Sequence, residues 1–333
     1  MNSTWSNGTN FQQMDFYFEN ADESTKDESP MKVILHVSLD SDLPVVQVDV
    51  DLGSLPKLHV DGYEMVAQFQ VEGFKNQETF WTDSNGLEMQ KRELNYRPTW
   101  DLVNTNYKDS FENITANYFP INSAISMRDG DRQFTVMNDR PEGGSALSEG
   151  KIELMQNRRI PADDSRGMGE SLDEKDEYGN GIRVPATYYF QLFDKTARQS
   201  VQRLVQHKTD EPAQYFFSFN AAAGQQTPIP STLSADLKAA GVSGNVKMNA
   251  FPVAANKILL RVYNLGDLYD EDKAQDVDID AIANALAKQA NRRVQTGEFN
   301  FLVEELALGA NMSAGERDAR KVHWKTVDDK ATQ

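Results

Sequence analysis

The 333-residue chain has no cysteine. That excludes disulfides, thiolate zinc sites and cysteine nucleophiles. Histidine is scarce: His36, His59, His207 and His323 lie far apart, and no two fall in HxxxH spacing. A metal site built from this chain alone is not expected. No apolar run is long enough to span a bilayer. The opening MNSTWSNGTN has neither the charged nor the apolar region of a signal peptide. Basic residues are in deficit, Lys+Arg 34 against Asp+Glu 51, for a formal net charge of −17. Neutralising phosphates along a polymer or a bilayer takes a basic face, so nucleic acid and an anionic membrane surface are not expected as partners. The acidic balance suits work in acid, where carboxylates partly protonate and self-repulsion falls. It suits plain solubility equally well.

What is present is enough apolar residue, 39%, for a real core, and a length above that of a usual single domain. One stretch organises the rest, Gly150 to Glu170. Ile152, Leu154 and Gln156 alternate with Glu153, Met155 and Asn157, the period of a half-buried strand. Arg158, Arg159, Pro161, Asp163, Asp164, Arg166, Gly167 and Gly169 follow, and the proline and glycines forbid a regular element. Guanidiniums and carboxylates this close can form bidentate pairs that fix a loop. Such a loop is either a ligand site at a strand end or a structural clasp that pins a turn.

Alternation marks further strands at Phe16–Phe18, Met31–Ser38, Val46–Leu52, Tyr63–Val71, Tyr118–Met127, Gln133–Met137 and Val184–Phe193. Turn chemistry lies between them at Asp83–Gly86, Asp129–Asp131, Glu142–Gly144 and Tyr178–Gly181. Many antiparallel strands without interleaved helices predict an all-β sandwich over residues 1–195, opening on a loop. Residues 196–333 are expected to form a smaller β domain with short helices. Thr196–His207 reads as a helix or an irregular connection, Ser231–Ala240 and about 278–293 as helices, and Gln214–Phe219, Lys257–Asn264 and Glu298–Leu308 as strands. A frayed polar tail follows from Gly309. N-x-S/T sequons stand at Asn2, Asn7, Asn113 and Asn311. Glycans there would place the chain in a secretory lumen without its own signal, as the C-terminal piece of a cleaved precursor.

No self-contained catalytic set emerges. Adjacent Asp163 and Asp164 point opposite ways in extended chain and do not face each other across a glycosidic bond. Ser165 has no neighbouring histidine and no nucleophile elbow. Trp81, Trp100 and Tyr118 could stack on sugar rings, but single aromatics in strands are more often core.

Several blocks carry a resemblance: Phe80–Glu88, Tyr96–Trp100, Asn117–Asn122, Thr135–Arg140, Gly143–Ser145, Gly150–Met155 with Arg158 and Arg159, and Asp163–Gly167. Their order and spacing, across about residues 63–195, resemble the C-terminal β region of lysosomal-type α-mannosidases, glycoside hydrolase family 38. The resemblance implies a large antiparallel supersandwich of the galactose-mutarotase-like kind. It implies part of a retaining α-mannosidase acting on N-glycan-type oligosaccharides. The zinc and the aspartate nucleophile would lie in a larger N-terminal chain from the same precursor, not in this one. It implies a lysosomal, otherwise acidic, or secreted location, and allows higher oligomers of such pairs. The arginine of the family's Asp-Asp-x-Arg-Gly loop reaches the sugar pocket, a role that maps onto Arg166, with Asp163 or Asp164 holding it. The rival readings are a carbohydrate-binding module and a purely structural subunit.

Overall fold

The computed structural model describes residues 2–18, 31–38, 45–55, 62–86, 88–98, 114–163, 165–167, 169–193, 199–212, 214, 217, 232–242, 244–254, 257–266, 274–290 and 302–322. It divides into two compact units, Met1–Phe216 with Leu265–Asp272, and Phe217–Asn264 with Lys273–Gln333.

The first unit is a sandwich of two antiparallel sheets. The large sheet has nine strands, here in chain order: β1 Asn2–Asn7, β2 Phe11–Phe18, β3 Met31–Ser38, β4 Val46–Leu52, β6 Thr79–Ser84, β7 Glu88–Glu93, β9 Ala124–Asp129, β10 Arg132–Asn138 and β13 Ala186–Phe193. In space they run β1-β2-β3-β4-β13-β10-β9-β6-β7. The small sheet runs β5-β12-β11-β8, with β5 Tyr63–Gln70, β8 Phe119–Ile121, β11 Glu142–Ser148 and β12 Lys151–Arg159. The two-residue period explains the core. Val48, Val50 and Leu52 are buried on β4, while Gln47, Asp49 and Asp51 between them take the opposite face. They meet Phe80, Ile125, Met127, Phe134, Val136 and Tyr188 from the large sheet and Ile121, Ile152 and Leu154 from the small one. Side chains of this size, removed from water, contribute roughly 1.5–3 kcal/mol each. Phe69 meets Tyr188 edge-on at 5.4 Å, and Phe80 meets Phe119 in the same way at 5.6 Å.

A helix, α1 Gln199–Asp210, lies on the far face of the large sheet. Gln202, Val205 and Gln206 share one face at helical spacing. Val205 packs with Ala124 and Met137. Gln202 Oε1 accepts from Gln133, Ser126 and Thr135 at 3.1–3.3 Å, and Gln206 donates to Ser123 at 2.7 Å. Although α1 follows residue 195, this packing places it in the sandwich unit.

In the second unit β14 Val246–Ala254 pairs with β15 Lys257–Asn264, and α2 Thr232–Ala239 packs on α3 Ile279–Ala290. The chain leaves α2 through Gly241 at φ +94°, where a Cβ would stand 2.4 Å from Asp276 O. Only glycine fits there.

Several expectations change. The opening residues form a strand, β1, paired with β2 throughout. Glu142–Gly144 is not a turn but the start of β11. Tyr118–Met127 is broken into β8 and β9. Beyond Gly309 the tail forms a helix, α4 Ala314–Arg320, with Ser313 and Glu316 in a capping box. Among the described residues of 298–308 there is no strand, only an isolated bridge from Leu306 to Ser313. Of Gln214–Phe219 only Gln214 and Phe217 are among the described residues.

Candidate functional site

The candidate site is the excursion that leaves the small sheet at the end of β12 and returns to the large sheet at β13. Ile152, Leu154 and Gln156 bury one face of β12. Gln156 Nε2 donates to Val50 O at 3.1 Å and Val184 O at 2.9 Å, which ties the departure and the return of the chain together. A register shift between Met155 and Asn157 then bends the strand end.

Arg159 builds the neck. Its Nε and Nη2 meet Asp173 Oδ1 at 2.8 and 2.6 Å, and its Nη1 donates to Leu55 O. The pair is largely buried, with side chains 11% and 14% exposed, which makes it a far stronger tie than a surface ion pair. Ile160 N donates to Leu172 O at 3.0 Å. Gly181 fits against the guanidinium, where a Cβ would stand 2.7 Å from Arg159 Nη1. Arg158 pairs with Glu64 of β5 at 2.9 Å, and Arg183 meets both carboxylate oxygens of Asp51 at 2.7 Å. So, among the described residues, the carboxylates of Arg158 and Arg159 come from Glu64 and Asp173, not from Asp163.

Two lobes spring from this neck. In the first, Asp163 Oδ2 accepts from Ser165 N at 3.0 Å, and Ser165 takes φ +59°. This Asx turn presents Arg166 on an exposed tip. Asp164 lies outside the described residues. In the second, Asp176 Oδ1 accepts from Asn180 N at 2.8 Å and Tyr178 N at 2.9 Å. Those amides, Asn180's first, hold its carboxyl below the usual range. Tyr178 at this tip is 80% exposed. The arrangement is chemically simple: a guanidinium held out on a turn whose base is locked by buried charge.

Among the described residues no three of His, Cys, Asp and Glu converge to hold a metal ion. Trp81 lies under Arg128 at 4.4 Å, and the Tyr118 hydroxyl donates to Glu153. Trp100 lies outside the described residues. The sequon residues Asn2, Asn7 and Asn311 are exposed, and Asn113 lies outside the described residues.

The family model for the glycosyl hydrolases family 38 C-terminal domain matches residues 3–166, ending on the arginine at this tip. Residues 3–166 form a glycosyl hydrolases family 38 C-terminal domain. The lysosomal alpha-mannosidase of Bos taurus is 37% identical over 159 residues, 48% of this chain and 15% of that protein. An alpha-mannosidase of Arabidopsis thaliana is 26% identical over 283 residues, 84% of this chain and 26% of that protein. The chain therefore spans at most about a quarter of these relatives. A solved family 38 protein from Enterococcus faecalis aligns at 12% identity and a TM-score of 0.48, over 79% of this chain and 30% of that one. Sequence reasoning missed Glu64, Asp173 and Leu55, which hold the arginines of the neck. Glu64 is distant in sequence from Arg158, Asp173 lies across the excursion from Arg159, and Leu55 acts through a backbone oxygen that any residue would provide.

Proposed function

We propose that this chain is the C-terminal part of a retaining α-mannosidase that cleaves α-D-mannosidic bonds of N-glycan-type oligosaccharides. The observation that carries the reading is the family 38 match, which runs through the sandwich and stops at Arg166 on the locked excursion. The mannosidase relatives, all much longer than the aligned segment, support it. In this reading zinc, the nucleophile and the acid/base carboxylates are assigned to a larger N-terminal chain; among the described residues no cluster fits a metal ion. A lysosomal or other acidic lumen, or secretion, and glycans on Asn2, Asn7, Asn113 and Asn311 belong to the same reading.

In it, this chain supplies rigidity and one cation. The neck at Arg159 fixes where the tip stands, so Arg166 meets a sugar hydroxyl or a neighbouring carboxylate with little left to order. Asp163 shapes the turn that points it, and Asp164 is assigned to the same support. Arg166→Lys keeps the charge and loses the planar fork. Turnover of the assembled enzyme is expected to fall roughly tenfold, with assembly intact. Unchanged turnover removes Arg166 from the pocket, and loss of assembly instead of rate makes the loop a structural clasp.

A further inference from the structure

Two guanidiniums lie over one ring at the edge of the sandwich. Arg92, on edge strand β7, stands directly across from Phe80 and so faces the core side of the sheet. Its charged carbon is 4.4 Å from the centroid of Phe119, and that of Arg97, just beyond β7, is 4.2 Å away. Among the described residues both arginines bond only to neutral acceptors. Arg92 Nε donates to Thr82 Oγ1 at 3.0 Å, Arg97 Nη1 to Tyr96 O at 3.1 Å, and Arg97 Nη2 to Ala116 O. Among the described residues neither has a carboxylate partner.

Six other arginines are paired differently. Arg132, Arg140, Arg158, Arg159, Arg183 and Arg317 each meet an Asp or Glu within 2.9 Å. Acidic residues outnumber basic ones by 51 to 34, so carboxylates are abundant. Two like charges held close raise one another's energy. The electron-rich face of Phe119 offsets part of this. Burial, and then the charge of Arg97, push the Arg92 pKa down, and burial pushes that of Arg97 down. The surroundings thus already disfavour the two charges, and the described residues build in no counter-charge.

We propose that Arg92 and Arg97 form a binding site for a small doubly charged oxyanion, a phosphate group. Arg92 uses only Nε internally, which leaves both terminal nitrogens for a ligand, and Arg97 keeps its Nε. A planar fork matches two phosphate oxygens, and two guanidiniums match two negative charges, where a carboxylate carries only one. The site does not rest on the mannosidase reading, because no residue of the excursion takes part in it.

The test titrates the intact chain with inorganic phosphate at fixed ionic strength, with chloride as control, and follows the melting temperature. The expected result is a saturable rise in phosphate that chloride does not reproduce. It should strengthen as pH rises through inorganic phosphate's second ionisation, near neutral pH. Arg92→Gln and Arg92→Lys should each weaken binding roughly tenfold, the lysine variant because it keeps the charge without the fork. Should Arg92→Gln fail to fold, Arg92→Lys decides. A hexose monophosphate is the second arm: tighter binding than inorganic phosphate marks a sugar phosphate as the ligand, and equal or weaker binding marks free phosphate. Identical curves in phosphate and chloride, or unchanged affinity in Arg92→Lys, overturn the site.

Discussion

Glu142 opens β11 half-buried, with both carboxylate oxygens 3.2 Å from the Tyr188 hydroxyl. Burial is the largest influence and pushes its pKa up to about 7; Asp139 pushes the same way, while Tyr188 and Arg140 oppose. A carboxyl that binds its proton more tightly folded than unfolded stabilises the fold in its neutral form. That contribution is complete below its ordinary value and is lost as pH rises through about 7. The chain should therefore be more stable at about pH 5 than at about pH 8, by roughly 1–2 kcal/mol from this group after solvent screening. Urea midpoints at the two pH values check it. Glu142→Gln should shrink the difference by that amount, and an unchanged difference contradicts the assignment. Exposed Asp176, whose carboxyl is held low, acts oppositely and only in stronger acid. Arg166 shows the limit of reading residues one at a time. Its exposed position follows from the turn residues around it, but its fixed base depends on Asp173 and Leu55, which no local pattern marks.

Elements were legible where period alone decides. β4, β10 and β12 fall where alternation places them. The Asp83–Gly86 turn also stands, since Asn85 and Gly86 both take positive φ between β6 and β7. Misreadings occurred where a distant residue decides. Tyr118–Met127 breaks because the amides of Asn122, Ser123 and Ala124 all point to Asp83 Oδ1 at 2.9–3.0 Å, while Oδ2 accepts from Gly86 N at 2.8 Å. Asp83 is 4% exposed, so Asp83→Ala leaves buried amides without partners and should cost about 3 kcal/mol in denaturant unfolding. A loss below about 0.5 kcal/mol would mean that water replaces the carboxylate. Glu142–Gly144 looked like a turn because glycine usually punctuates. Here Gly144 lets β11 lie close to its neighbours: a Cβ would stand 2.8 Å from Ile121 Cγ1 and 2.9 Å from Leu154 Cδ2. Gly144→Ala should destabilise by about 1–3 kcal/mol, read as a lower melting temperature. An unchanged value would show that the core relaxes freely around it.

On the scale of the molecule, a nine-stranded and a four-stranded sheet form a sandwich whose apolar faces meet, and a second unit holds its own hairpin and helices. Sandwich class was readable from strand number and turn spacing. The extent of the first unit was less so, because α1 looks like a connection until its glutamines meet Ser123, Ser126, Gln133 and Thr135. The matched segment is a small fraction of each long mannosidase relative. We propose a shared role for this chain rather than an activity of its own. The direct test is hydrolysis of an aryl α-mannoside, measured on the purified chain alone and on the particle in which it sits with a longer chain. The expected result is release of mannose by the particle and none by the isolated chain. Turnover by the isolated 333 residues, or a particle that leaves α-mannosides intact, contradicts the account.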